Sequence, residues 1–334
     1  MGVEGTYPNE REEIMTLYQE IFSMFSRELE AHGRAFLNYQ ALSQVEVKDM
    51  TIDGFPAKLF FNPARVRSVM ADVSPEALQK RACFLCPDGL EPLQLTTVWD
   101  SPTGHTYYIR VNPFPIFSPH FTVSSSVHES QELLPHLESM LHLAQQLPEM
   151  TIFYNGPMCG ASAPDHMHFQ AVPRHSLPIE DHFSTNYANA ILVQETDLQT
   201  HLSAVKRVLS LGTIPEEASQ TGSLTAGASH AEEYEPRWNI VSWYEPESNS
   251  PQDGLTAVGG LTSNSQRRSF YTVVFFRRES RPQCFFAPEE ERILFSPATV
   301  EMGGIGIVAN RESFDRITPE VLRSMIQEVA DKIV

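Results

Sequence analysis

Cysteine is scarce in this chain: Cys83, Cys86, Cys159 and Cys284 are the four among 334 residues. That excludes a disulfide-stapled scaffold, and a close pair then points to metal binding or redox work. Positive charge is also in short supply, with 24 Lys plus Arg against 42 Asp plus Glu and a net charge of −18. Such a surface repels duplex nucleic acid, whose affinity is mostly phosphate neutralisation, and no basic stripe interleaved with aromatics appears. A small anion held by local cations and backbone amides remains allowed. No run of about 18 apolar residues occurs, so no membrane span is expected. The opening MGVEGTYPNEREEIM has neither a basic start nor an apolar stretch, which argues against a secretory signal. Thr6 alone matches a myristoylation pattern. A cytoplasmic chain without short repeats is the expectation.

What is present suits a folded molecule. Hydrophobic residues are 41% and charged residues 20%, enough for a sizeable core and about two domains at roughly 150 residues each. Ile14, Leu17, Ile21, Phe22 and Phe25 have helical spacing within 10–31. Residues 43–61 alternate like strands. Ser74-Pro75-Glu76 opens a short helix. Strands are expected at 106–111, 121–125, 151–154, 167–172, 238–244, 271–277 and 306–309. An amphipathic helix is expected over 130–147, carried by Leu133, Leu134, Leu137, Met140, Leu141, Ala144 and Leu147. A closing helix runs over 318–333, with Pro319 in its first turn. Two polar stretches, 212–236 and 245–269, read as surface loops. The strand-then-helix order recurs, which suggests an α+β chain of two related halves. The expected division is a helical extension 1–44, a first half 45–205 and a second half 206–334.

The chemistry concentrates in Asn155-Gly-Pro-Met-Cys-Gly-Ala-Ser-Ala-Pro-Asp-His-Met-His-Phe-Gln-Ala-Val-Pro173. In a strand, alternate side chains share a face. His166, His168 and Gln170 then line one side, while Met167, Phe169 and Ala171 form an apolar side for a core. Upstream, Gly156, Gly160, Ala161 and Ser162 are small enough for backbone amides to approach a phosphate. Ser162 adds a hydroxyl, and Asn155 can hydrogen-bond a ribose or phosphate oxygen. An imidazole facing such a cradle is placed to attack phosphorus, and histidine is a competent nucleophile near neutral pH. Cys83-Phe-Leu-Cys86 has the spacing of half a tetrahedral zinc site; buried thiols or a redox pair fit the same spacing. Arg277, Arg278 and Arg281 form a basic cluster whose guanidinium forks suit phosphate.

The 155–173 stretch resembles the transferase branch of the histidine triad superfamily. That branch includes galactose-1-phosphate uridylyltransferases, diadenosine tetraphosphate phosphorylases and GDP-galactose phosphorylases, and carries Gln where the hydrolases carry a third His. Gln170 stands at that place, and Asn155, Gly160, Ser162 and Pro164 match the run before it, with Asp165 as an apparent insertion. Arg110-Val-Asn-Pro-Phe-Pro-Ile-Phe-Ser-Pro-His-Phe-Thr-Val-Ser-Ser-Ser-Val-His128 resembles a strand pair of the same superfamily. The resemblance covers roughly 45–334 and is strongest over 110–173.

The resemblance implies a histidine-triad-like α+β fold, each half an antiparallel sheet with helices packed on it. It implies transfer of a nucleoside monophosphate group through a covalent nucleotidyl-histidine on His168. Gln170 and Ser162 would assist at the phosphate, and His166 would orient the nucleophile. Asn112, Phe114, Asn155, Gly160, Arg277 and Arg281 would contact the substrate. The donor would be a nucleoside diphosphate sugar or a dinucleoside polyphosphate, and the acceptor phosphate or a sugar phosphate. A structural zinc would be held by Cys83, Cys86, His128 and His166, with His120 as the alternative third ligand. Members of the superfamily often pair into homodimers. Two other functions compete: a nucleotide hydrolase, against which Gln170 argues, and a zinc-stabilised nucleotide-binding protein without turnover.

Overall fold

A computed structural model describes residues 10–66, 70, 74–90, 94–212, 235–247 and 268–331. The polar stretches expected at 212–236 and 245–269 lie largely outside these residues. Eleven strands are described: β1 Glu46–Ile52, β2 Phe55–Phe61, β3 Thr97–Asp100, β4 Thr106–Val111, β5 Phe121–Ser125, β6 Met150–Asn155, β7 His168–Pro173, β8 Ala190–Glu195, β9 Trp238–Glu245, β10 Ser269–Phe276 and β11 Ile305–Val308. The helices are α1 Glu10–Glu30, α2 Arg34–Ala41, α3 Pro75–Lys80, α4 Leu137–Gln146, α5 Pro178–Asp181, α6 Thr185–Ala188, α7 Leu198–Leu211, α8 Thr299–Met302, α9 Arg311–Arg316 and α10 Pro319–Val329.

Local chemistry accounts for most of these boundaries. Asp53 and Gly54, both at positive φ (50° and 83°), close the β1–β2 hairpin. Ser74 and Thr318 cap α3 and α10 by accepting from the amides of Ala77 and Val321 (3.3 Å each). The helix expected over 130–147 is shorter, beginning only at Leu137. Pro135 lacks an amide hydrogen and disfavours helical geometry in the residue before it. Residues 130–136 instead form an irregular segment whose Leu133 is still fully buried.

Strands β3 to β10 share one sheet. Eight strands run in the order β3-β4-β5-β7-β6-β9-β10-β8, every neighbouring pair antiparallel. The join is β6 against β9, Ile152 facing Ser242 through Asn155 facing Asn239. β8 precedes β9 in sequence but pairs with β10. A smaller sheet, β1-β2-β11, pairs β2 antiparallel with β1 and parallel with β11.

Alternation along the strands gives the large sheet two apolar faces. One face carries Ile109, Val123, Phe169, Ala171, Ile152 and Ile240 against α1, α4 and α7, including Ile21, Leu141 and Val205. The other face is covered by the small sheet and the C-terminal helices over β6, β9 and β10, through Phe153, Val241, Trp243, Val273 and Phe275. That cover does not extend across β4, β5 and the start of β7, and the gap there is the cavity described below. The first two helices are tied to the sheet's first half. Tyr39 Oη donates to the His120 carbonyl (2.9 Å), Asn38 Nδ2 to the Pro113 carbonyl (2.6 Å), and the Leu95 amide to Glu28 Oε2 (2.9 Å). Among the described residues no helix is long and apolar enough to cross a membrane.

Candidate active site

A cavity of about 610 Å³ lies over the uncovered part of the sheet. Its floor carries Thr122 from β5, Phe153 and Asn155 from β6, and His168 and Gln170 from β7. Met167, Phe169 and Ala171 point the other way, into the core. The alternation read from His-Met-His-Phe-Gln therefore sets which side chains reach the cavity.

His168 is held at a strand end that needs bridging. The β6–β7 ladder stops at Phe153 facing Gln170. Beyond it, the buried side chain of Gln131 replaces the missing ladder bonds. Gln131 Nε2 donates to the carbonyls of Asn155 (2.9 Å) and His168 (3.0 Å), and Oε1 accepts from the His168 amide (2.8 Å). The His168 ring then donates from Nδ1 to the His166 carbonyl (2.8 Å). That bond leaves Nε2 with its lone pair on the cavity side. Burial pushes the imidazole down to about 4, so it is neutral at physiological pH.

Gln170 is oriented by His120. The Ile116 amide donates to His120 Nδ1 (3.1 Å), so the proton sits on Nε2, which donates to Gln170 Oε1 (2.8 Å). With its carbonyl engaged, Gln170 offers NH2 donors to the cavity. Full burial holds His120 down at about 3, so it stays neutral. These two bonds occupy both His120 nitrogens, so His120 is not the alternative metal ligand.

Asn155 is anchored in a similar way. Its Oδ1 accepts from the Thr299 amide (2.9 Å) and lies 2.7 Å from the Thr299 hydroxyl, with Asn239 Nδ2 at 3.3 Å. The amide end is then the part that serves the cavity. The turn after Asn155 demands its glycines. A Cβ on Gly156 would lie 2.7 Å from the Trp238 carbonyl oxygen; one on Gly160, at φ +96°, would lie 2.4 Å from the Ala298 Cβ.

Asn112, Phe114, Gly160, Ser162 and Arg281 also line the cavity. The Asn112 side chain accepts from the Phe114 amide (2.9 Å), which fixes that turn. Arg277 corrects the sequence reading. It is buried away from the cavity, and its guanidinium donates to Asn239 Oδ1 (2.7 Å) and to the carbonyls of Pro297 (3.1 Å), Glu279 and Ser280 (3.0 Å each). Arg277 thereby supports Asn239 behind Asn155. Arg278 turns outward to the Glu328 carbonyl (2.8 Å). The basic cluster of the sequence is thus dispersed, and Arg281 alone of the three reaches the cavity.

Sequence reasoning missed several cavity groups. Arg34, Arg65, Arg81 and Arg110 join Arg281, and Glu301 is the one carboxylate among the lining residues. Burial raises that carboxyl to about 7. Arg110 had a local signal, lying two residues before Asn112 on one strand face. Arg34, Arg65, Gln131 and Thr299 had none, because their partners are distant in sequence.

Beside the cavity, Cys83, Cys86, His128 and His166 each bring a donor atom within 4.8 Å of the others. His166 Nδ1 lies 3.3 Å from Cys83 Sγ, 3.5 Å from Cys86 Sγ and 3.3 Å from His128 Nδ1; Cys86 Sγ to His128 Nδ1 is 3.3 Å. Two nitrogens on one tetrahedral zinc stand about 3.3 Å apart, and nitrogen and sulfur about 3.6 Å. His166 Nε2 donates to the Ser125 carbonyl (2.9 Å), leaving Nδ1 as the ligating atom. The donor set and its spacing fit a tetrahedral metal.

The overall α+β fold is similar to that of a solved structure, the yeast Ap4A phosphorylase Apa2, which superposes with a TM-score of 0.52 at 14% identity, covering 90% of this chain and 96% of that one. The same yeast enzyme in complex with Ap4A gives 0.48 at 14% identity (91% and 96% covered), and in complex with AMP 0.47 at 14% (90% and 96%). Residues 24–173 match a domain family described as a domain of unknown function (DUF4922). No curated protein sequence matches the chain.

Proposed function

We propose that this protein is a nucleotidyltransferase of the phosphorylase type, acting through His168. The observation that carries the reading is the neutral His168 Nε2 facing a cavity whose charged lining is five arginines and one carboxylate. In a chain of net charge −18, such a lining selects a polyanion. The apolar part of the lining, Phe114, Ile116, Val300 and Ile307, suits a nucleobase. The likeness to an enzyme described as an Ap4A phosphorylase supports a dinucleoside polyphosphate as donor. A nucleoside diphosphate sugar is the second donor class of this reading.

The side-chain geometry supports a two-step transfer through His168. Nε2 attacks the α-phosphorus, a P–N bond forms, and the bond to the bridging oxygen breaks, expelling the remaining nucleoside polyphosphate or sugar phosphate. Gln170 NH2, Asn155 NH2 and the Ser162 hydroxyl donate to the oxygens where negative charge grows. Arg65, Arg110 and Arg281 neutralise the polyphosphate. An oxygen of inorganic phosphate, or of a sugar phosphate, then attacks the same phosphorus and releases His168.

Cys83, Cys86, His128 and His166 would hold a structural zinc in this reading. It would tie the 83–86 turn to the residue two before the nucleophile, whose carbonyl fixes the His168 tautomer.

The test is intact-protein mass after incubation with diadenosine tetraphosphate, ATP and UDP-, GDP- and ADP-sugars, without acceptor. A gain of one nucleoside monophosphate, absent in His168→Ala, is expected and names the base. Free mononucleotide released without acceptor would instead mark a hydrolase. No gain and no consumption, even with phosphate present, would remove the proposal.

A further inference from the structure

A second group of donors lies near the four-ligand cluster, and the reaction makes no use of it. His105 from the β3–β4 turn, Glu129 from the segment after β5, and His136 at the start of α4 bring one donor atom each within 4.8 Å of one another. His136 Nε2 lies 3.5 Å from Glu129 Oε1, close to the roughly 3.3 Å that separates nitrogen and oxygen ligands on one tetrahedral zinc. The His105 and His136 rings stand 4.4 Å apart between centroids.

Each firmly held ligand has a supporting partner. His136 is buried, and its Nδ1 lies 2.7 Å from the buried Tyr107 hydroxyl, which leaves Nε2 as the atom aimed at Glu129. Ser125 Oγ donates to Glu129 Oε1 (2.5 Å). Tyr107 and Ser125 face each other in the β4–β5 ladder, so one rung of the sheet orients both ligands. The Glu129 backbone is fixed as well, its carbonyl accepting from the Met167 amide (2.8 Å). Orientation of ligating side chains by such outer partners is the usual architecture of a metal centre.

An ion pair between Glu129 and His136 accounts for two of the three residues. It does not account for His105, an imidazole set against another imidazole. A cation shared by the nitrogens and the carboxylate accounts for all three. Two imidazoles and one carboxylate suit a borderline divalent ion, whereas calcium or magnesium would need oxygen ligands.

We propose that His105, Glu129 and His136 form a second divalent transition-metal site, of the zinc, cobalt or nickel class, distinct from the Cys83–Cys86–His128–His166 set. Glu129 and His105 are half-exposed, so the remaining coordination positions open to water. The site joins the β3–β4 turn, the segment after β5 and the start of α4. It stands independently of any reading of the reaction.

Cobalt(II) distinguishes the two sets, because thiolate ligands give an intense near-ultraviolet charge-transfer band and imidazole with carboxylate do not. Chelator-treated full-length protein is titrated with Co(II) while total bound cobalt is measured. Uptake is expected to continue by a further equivalent after the thiolate band has saturated. His105→Asn, at a half-exposed turn position, should lose that sulfur-free equivalent and keep the band and the far-ultraviolet circular dichroism; Glu129→Gln should weaken it in the same sense. Uptake that ends when the band saturates, or sulfur-free uptake unchanged in both variants, would overturn the proposal. Without any thiolate band the four-ligand set fails, and the sulfur-free equivalent with its loss in His105→Asn still decides this site.

Discussion

Two histidines on the cavity side are fixed in opposite senses by main-chain groups. His168 gives its Nδ1 proton to a carbonyl and keeps an Nε2 lone pair, whereas His120 accepts an amide at Nδ1 and donates from Nε2. One is left as a nucleophile, the other as a prop for Gln170. His120→Asn should therefore reduce nucleotidyl transfer by about ten- to a hundredfold, the scale on which removing a supporting partner acts. The loss should fall on kcat more than on KM, because an unpropped Gln170 can turn its oxygen toward the phosphate. An unchanged kcat would show that Gln170 holds its orientation without His120. At this scale the sequence was informative where a strand's period of two applies, as at His168 and Gln170. It misled at Arg277, which sits at a strand end where that period stops, and whose four acceptors come from Asn239, Glu279, Ser280 and Pro297.

Elements position the site through their ends. The 83–86 turn, the segment after β5 and the residues before β7 meet at the four-ligand cluster, and backbone bonds join Met167 to Ser125 and Glu129 there. If a metal holds them, Cys83→Ser should lower bound zinc in protein purified without chelator and reduce the thermal midpoint by a few degrees. Equal metal content and an equal midpoint would mean that packing alone fixes the turn. The helix starting at Leu137 shows the opposite limit of local reading. Its apolar spacing extends back to Leu133, yet Pro135 and the demands of Gln131 on two strand ends take residues 130–136 out of the helix.

Across the whole molecule, five of the 24 Lys and Arg line one cavity, and several carboxyls are buried. Glu28, Glu235 and Glu301 are each raised from the usual 4.5 to about 7, chiefly by burial. The folded state then binds more protons than the unfolded chain between those values. The stability from these groups is fully present below about 4.5 and is lost as pH rises through 7. Thermal stability should accordingly fall between pH 6 and pH 8. Glu28→Gln keeps an acceptor for the Leu95 amide and should flatten that slope, stabilising the protein at pH 8 by on the order of 1 kcal/mol. A denaturation series across that range checks both, and an unaltered slope in the variant would remove Glu28 from the account.

The sequence by itself determined the strands around the motif, which side chains of β7 face the core, the glycine-rich turn and the Cys83–Cys86 half of the four-ligand cluster, whose His128 and His166 came from the family resemblance. These follow from short-range physics: a period of two, turn sterics and the chemistry of thiol and imidazole. Only the tertiary structure decided that β6 pairs with β9, that the small sheet leaves β4, β5 and β7 uncovered, and that Arg34 and Arg65 reach the same cavity as Arg281. Those placements depend on packing between segments far apart in the sequence, where no local periodicity or propensity carries the information.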